Sequence, residues 1–263
     1  MKRYIAEIAG KDSVAAVMKF IRENGSLSSC NKEKSGGSDL GIVIIPTIVY
    51  TGTEYGDKKS YYDSIEFIRK KAEEAGIGFE EVTELQDGRL WNILCAKYQY
   101  LINKKYGFYT PCVACHMFTH LMRIPLLRRL GAEAVITGER HSHQGRLKAN
   151  QHPGTMECFN EIFEKNGINM IKPLLEIEDT GLVNEEIADE AVIEHANDVK
   201  CVLSGNLKGF PLEENIDKLM LYLDEFLKPV GNFCVKTMPD FTVGEERMEW
   251  YDRLEEKIEE ILI

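Results

Sequence analysis

Apolar positions along this chain fall into two rhythms that alternate. Short runs of aliphatic and β-branched residues read as buried strands, and longer stretches with apolar residues three and four apart read as helices. Tyr4–Ile8 opens the chain as a strand and runs through Ala9 and Gly10 into helical spacing over 13–24. Residues 41–50 form an unbroken apolar run, the pattern of a strand covered on both faces of a parallel sheet. A helix over 59–75 closed by Gly76, a strand over 78–83 and a helix over 90–104 follow. Then come a basic helix over 121–130, a strand ending at Gly138 and a helix over 184–196, acidic on its outer face. The order predicts an α/β fold, a Rossmann-like doubly wound parallel sheet over residues 1–210. Residues 211–263 read as a C-terminal helical extension (213–227 and 244–263) that packs on the domain or mediates self-association, a homodimer being the simplest form. The polar segment 25–40 reads as a surface loop, with Cys30 a bystander in it.

Composition narrows the class. The hydrophobic share is 44% and the charged share 29% of 263 residues, as in ordinary soluble proteins. No apolar run approaches the roughly 20 residues that span a bilayer, and the start does not read as a secretory leader. The expectation is therefore a cytoplasmic protein, with no membrane partner, whose seven cysteines are thiols or metal ligands rather than disulfides. Net charge is −11, but residues 97–148 carry nine Lys or Arg against two acids, while residues 176–263 carry eight against twenty-three. The first region is a candidate footprint for an anion, with Lys104, Lys105, Arg123, Arg128 and Arg129 expected to meet phosphate. Scattered solvated helix faces would produce the same count.

Three stretches carry chemistry. In Ile8-Ala9-Gly10-Lys11-Asp12-Ser13 a strand feeds a small-residue turn and a helix start, where free amides and the helix dipole favour an anion. Lys11 adds charge, Ser13 a hydroxyl, and Asp12 suits Mg²⁺. A capped helix, with Asp12 or Ser13 as N-cap, explains the same residues. The turn after the 41–50 strand, Tyr50-Thr51-Gly52, lies where open parallel sheets bind ligands, beyond the carboxyl ends of strands; a plain strand-to-helix turn bent at Gly52 explains it equally. In Pro111-Cys112-Val113-Ala114-Cys115 two thiols stand close enough to share a metal or a redox role. They are half a site, because no second Cys-x-x-Cys occurs. Cys95 and Cys234, with apolar neighbours, read as core residues, and Cys158 is unassigned.

The opening loop resembles the pyrophosphate loop of the PP-loop ATP pyrophosphatases, Ser-Gly-Gly-x-Asp-Ser, with Ile8 and Ala9 in place of the first Ser and Gly. A Pro-Cys-x-x-Cys pair followed by a single later cysteine is similar to the iron–sulfur tRNA 2-thiocytidine synthetase branch of that superfamily. The resemblance implies a PP-loop (HUP-type) fold and a 4Fe–4S cluster on Cys112, Cys115 and Cys201, zinc being the rival. Gly138-Glu139-Arg140 resembles that family's Gly-His-His segment, which helps hold nucleotide and metal; Gly138 matches, and Glu139 and Arg140 replace the histidines. Tyr50, Thr51 and Gly52 fall on the adenosine-side turn.

The implied activity is an ATP-dependent sulfurtransferase. ATP adenylates a base carbonyl, pyrophosphate leaves onto Ala9–Ser13 with Mg²⁺ and Lys11 offsetting its charge, and sulfur replaces oxygen. Lys11, Asp12 and Ser13 are the expected catalytic residues. The substrate is tRNA or a small nucleobase, and the sulfur donor is not indicated. Two alternatives stay open: an iron–sulfur desulfidase or sulfonucleotide reductase-like enzyme on a small molecule, and a non-catalytic nucleotide or cluster sensor.

Overall fold

A computed structural model describes residues 1–25, 41–141, 148–196, 198–203, 212–240 and 245–263. The expected loop 26–40 with Cys30 lies outside the described residues, as do Ser142 and His143, which follow the Gly138-Glu139-Arg140 segment. In chain order the elements are β1 (Lys2–Glu7), α1 (Lys11–Asn24), β2 (Ile42–Tyr50), β3 (Glu54–Tyr55), α2 (Lys59–Glu74), β4 (Gly78–Phe79), β5 (Thr83–Gln86), α3 (Gly88–Asn92), α4 (Gln99–Tyr106), α5 (Pro111–Leu121) and α6 (Ile124–Leu130). They continue with β6 (Ala134–Ile136), α7 (Pro153–Phe163), β7 (Met170–Ile171), α8 (Thr180–Ile187), α9 (Glu190–His195), β8 (Lys200–Cys201), α10 (Ile216–Tyr222), α11 (Lys228–Thr237) and α12 (Glu245–Leu262). A π-helical turn, Ile93–Lys97, joins α3 to α4, and another, Leu223–Leu227, joins α10 to α11.

The main sheet is parallel, in the order β4-β2-β1-β6-β7, with β5 continuing β4's edge along β2. Chain order reverses between β1 and β6, so the loops leaving these two strands diverge and open a crevice between them. Side chains alternate along each strand into two cores. Ile5, Ile45 and Val135 face one side, with α3–α7 and α10–α12. Ala6, Ile44, Ile48 and Ile136 face the other, under α1, α2 and α8. The sheet is covered on both faces, which is why its central strands are apolar throughout.

The C-terminal helices are part of the first core. Phe226, Leu227, Val230, Trp250, Leu254 and Ile258 are each at most 1% exposed and join the same cluster as Phe118 and Phe159. Each such large side chain contributes about 1.5–3 kcal/mol by burial, so the 1–210 and 211–263 segments share one hydrophobic interior. Polar contacts reinforce the junction: buried Asp87 accepts from the Leu90 amide, the Tyr251 hydroxyl (2.6 Å) and Arg247.

Local differences from the sequence expectations have local causes. The helix expected over 121–130 starts at Ile124, because Pro125 has no amide to donate and the chain must turn at Met122–Arg123 before it. The strand expected over 78–83 is two short strands on β2. The helix expected over 184–196 is two helices, capped by Asp179 and Asp189 and separated at Ala188, whose φ is +53°. Among the described residues no helix is long and apolar enough to cross a membrane.

Candidate functional site

The crevice between β1 and β6 holds a cleft of about 660 Å³. Its lining includes Glu7, Ala9–Ser13, His116, Gly138–Arg140, Lys148, Asn150 and Cys201. The structure thus brings together the opening loop, the segment after β6 and one of the three cysteines, although they are far apart in sequence.

The opening loop is held by Ser13. Its Oγ accepts from the amides of Ala9 (2.9 Å) and Gly10 (3.0 Å) and donates to the Gly10 carbonyl (2.7 Å). The hydroxyl expected to meet phosphate therefore shapes the loop from inside, and Ser13 is buried. It is the N3 residue of α1; Gly10 occupies the N-cap, where Asp12 or Ser13 was the simpler alternative. Ile8, at the position of the family's first Ser, is 1% exposed and belongs to the second core. Lys11 lines the cleft and has no ion-pair partner among the described residues.

Gly138 explains how the two loops meet. A Cβ there would lie 2.5 Å from the Ser13 amide nitrogen and 2.7 Å from the Asp12 carbonyl carbon. Only glycine lets the strand exit pass this close to the loop backbone. Arg140, in the segment expected to help hold nucleotide, lies at the cleft lining as a strut with a fully buried side chain. It donates from Nε to the Ile177 carbonyl (2.7 Å) and from Nη2 to the Glu178 carbonyl (2.5 Å), and lies 3.3 Å from Asp12 Oδ1.

Glu139 has a different task. One carboxylate oxygen, Oε1, lies 3.1 Å from His116 Nδ1 and 3.2 Å from His120 Nε2. An ionised carboxylate only accepts, so both imidazoles donate to it. Burial would raise the Glu139 pKa, but the neighbouring His116 charge and the two hydrogen bonds outweigh it and hold the carboxyl well below the usual range. Burial pulls His116 the opposite way, downward, yet the Glu139 carboxylate leaves it raised. His116 Nε2 meets the Asn150 side-chain amide at 2.9 Å.

Cys112 and Cys115 stand in the first turn of α5, which Thr110 caps and Pro111 starts. Cys201 is on β8, which pairs antiparallel with β3 so that Cys201 faces Glu54. That ribbon needs Gly56, whose φ is +108° and whose Cβ would strike the Asp198 carbonyl oxygen at 2.2 Å. The Thr53 hydroxyl lies 3.1 Å from Cys201 Sγ. Burial pushes the Cys112 thiol up to about 11, with Cys115 and then Cys201 adding to the shift, so all three are within electrostatic reach. Cys115 is pulled down to about 7 by a hydrogen bond from Cys95, against burial and with help from Trp91 Nε1 at 3.4 Å. Zinc at 2.3 Å from each sulfur would draw them to about 3.8 Å of one another, yet the three sulfurs are not gathered within 4.8 Å. Cys95, Cys158 and Cys234 are buried thiols, and the described cysteines form no disulfide.

Other expected residues are placed elsewhere. Tyr50, Thr51 and Gly52 do not line the cleft. Glu54 folds back into their turn and takes the amides of Thr51 (2.6 Å) and Gly52 (2.9 Å), the donors a ligand would have used. Cys112 and Cys115 also lie outside the cleft lining. Of the five basic residues expected to meet phosphate, three hydrogen-bond within the chain and one, Arg123, is buried. Arg123 is 1% exposed and donates to Thr47 Oγ1 (2.8 Å) and the Thr119 carbonyl (2.6 Å), while Lys105 and Arg128 donate to the Ile261 and Val235 carbonyls of the helical extension. Lys104, Lys105, Arg128 and Arg129 are exposed.

No family model matches the chain. It is 30% identical over 233 residues to uncharacterized protein MJ0009 of Methanocaldococcus jannaschii, a match covering 86% of this chain and 77% of the relative. This chain belongs to that archaeal protein's family. A match of that share is longer than residues 1–210, so it reaches into the helical extension, in keeping with the single core that joins the two segments.

Sequence reasoning missed Glu7, His116, His120, Lys148 and Asn150. A signal for two of them was present: His116 and His120 are four apart, on one face of a helix. Their meeting with Glu139 depends on the sheet and had no signal.

Proposed function

We propose that this chain is an ATP-dependent sulfurtransferase of the PP-loop type. The observation that carries the reading is one cleft, at the chain-order reversal of a parallel sheet, bounded by a helix N-terminus with Lys11 and by Cys201. The amides opening α1 and the Lys11 ammonium would bind the phosphates and stabilise departing pyrophosphate. Asp12, steadied by Arg140, would hold Mg²⁺ on them. Ser13 keeps the loop in shape, and Gly138 keeps it close. Cys112, Cys115 and Cys201 would hold a 4Fe–4S cluster, which supplies sulfur on an iron without a protein ligand.

A second reading has support of its own. Ile8 supplies no side-chain phosphate donor, and Arg123, one of the basic residues expected to meet phosphate, is buried against Thr47 and Thr119. Both facts favour a cluster-dependent enzyme acting on a small molecule, of the desulfidase or sulfonucleotide reductase kind. Anaerobic purification with iron and acid-labile sulfide analysis, followed by pyrophosphate release from ATP with tRNA or free thio-bases, separates the two. Brown protein that releases pyrophosphate supports the first reading, and brown protein that does not supports the second. Colourless protein, or Cys201→Ala with unchanged iron content, overturns both.

A further inference from the structure

The cluster and the nucleotide loop leave one constellation unused. His116, His120 and Glu139 present one donor atom each within 4.8 Å of one another. The histidines are one helical turn apart on α5, and Glu139 reaches them from the loop after β6. Two imidazoles share one oxygen of one carboxylate, an arrangement that brings three ligand atoms to a point. His120 is buried and turns its Nε2 to the trio, while its Nδ1 has no partner among the described residues.

The geometry points to a divalent transition-metal site formed by His116, His120 and Glu139 at the inner wall of the cleft. Two imidazoles and a carboxylate are the donor set of catalytic zinc and of facial-triad iron centres, which keep further positions open. The surroundings have that asymmetry. On the core side the site is closed by Phe159 and Phe163, each with its ring centroid 5.6 Å from that of His120. On the cleft side His116 retains 38% of its side-chain exposure, against 1% for His120 and 5% for Glu139, so water or a substrate oxygen can reach the ion. Asn150 meets the second nitrogen of His116, as an outer partner that orients a ligating imidazole does. Glu7 also lines the cleft, and its charge reaches His116. Opposing cations include Arg123, which lies 3.8 Å from Glu7, and Lys148, with Lys11 and Arg140 in the same lining. An ion here would face the same cleft as the α1 N-terminus and would act on an anionic or carbonyl-bearing ligand as a Lewis acid.

The test separates this site from the cysteines by using the full chain with Cys112, Cys115 and Cys201 changed to Ser. Co²⁺ and Zn²⁺ are titrated in, with Co²⁺ absorption and a competing chromophoric chelator as readouts. One equivalent is expected, with visible d–d bands and no thiolate charge-transfer band. His116→Ala and the near-isosteric Glu139→Gln should each weaken binding by more than about 100-fold, beyond the loss from removing an outer partner. Asn150→Ala should weaken it by about 10- to 100-fold. Circular dichroism of each variant guards against misfolding, and His116, the most exposed of the three, is the change least able to disturb the core. Absence of a stoichiometric site, or binding unaltered by both His116→Ala and Glu139→Gln in folded protein, overturns the proposal. Neither result bears on whether the intact cysteines carry a cluster.

Discussion

Replacing Gly138 with Ala tests whether the cleft depends on a backbone-to-backbone approach. The added Cβ would sit 2.5 Å from the Ser13 nitrogen and 2.7 Å from both the Asp12 carbonyl carbon and the Ser13 Cα. Carbon atoms pack at about 3.5–4.0 Å, so the loop after β6 and the α1 N-terminus must part by about 1 Å. Both are backbone tied into the sheet and into α1, so neither can swing aside. Overpacking of this kind costs about 1–3 kcal/mol. If parting the loops costs one amide-to-phosphate hydrogen bond, about 1.5–3 kcal/mol, ATP affinity falls about 10- to 100-fold. Gly154→Ala is the matched control. Its Cβ would meet Met220 Sδ at 2.4 Å, a closer overlap on paper, but with the end of a flexible side chain that can rotate away. Urea denaturation of both variants, with ATP titration by calorimetry, gives the comparison. A Gly138→Ala protein as stable as wild type would refute the packing argument. A destabilised variant with unchanged ATP affinity would refute the assignment of the loop to phosphate.

Three further outcomes are expected. Ser13→Ala removes the acceptor for the Ala9 and Gly10 amides and should lower unfolding free energy by about 1–2 kcal/mol in urea; no change would mean the loop holds itself. Arg123→Met strips donors from Thr47 and the Thr119 carbonyl and a cation from beside Glu7, so a loss of about 3–5 kcal/mol is expected by denaturation; less than about 1 kcal/mol would return Arg123 to the role of a surface base. His152 caps α7 by accepting the Gly154 amide at Nδ1 (3.1 Å), and burial lowers its pKa below 6.5. Because the folded pKa is depressed, its contribution is present above about pH 6.5 and lost as pH falls through the folded value. A His152→Asn variant should therefore lose less stability than wild type between pH 7 and pH 5, and an NMR titration placing His152 at or above 6.5 would contradict this.

Several elements were legible because their signals are local. The 41–50 run is apolar on both sides because the strand lies between two layers, and that shows in any window of sequence. The small-residue turn into α1 carries its own signature, since a helix start needs small or capping residues whatever surrounds it. The cysteine pair was visible as spacing. Positions such as Arg140 and Arg123 misled for an equally physical reason. A guanidinium that binds phosphate and one that braces carbonyls have the same composition, and only burial separates them. Glu54 behaved likewise: its carboxylate fills the turn that Tyr50–Gly52 would have offered to a ligand.

The sequence by itself determined the alternation of strands and helices, the covered sheet and the inventory of chemical groups, because periodicity and residue type act over a few residues. Tertiary structure alone decided which groups meet. The reversal of strand order between β1 and β6 sets Gly138 against Ser13, β8 pairing on β3 carries Cys201 to the cleft, and α5 packed beside the β6 exit brings two histidines onto Glu139. These contacts join residues from 19 to 148 positions apart, and no local rule relates such positions until the sheet has formed.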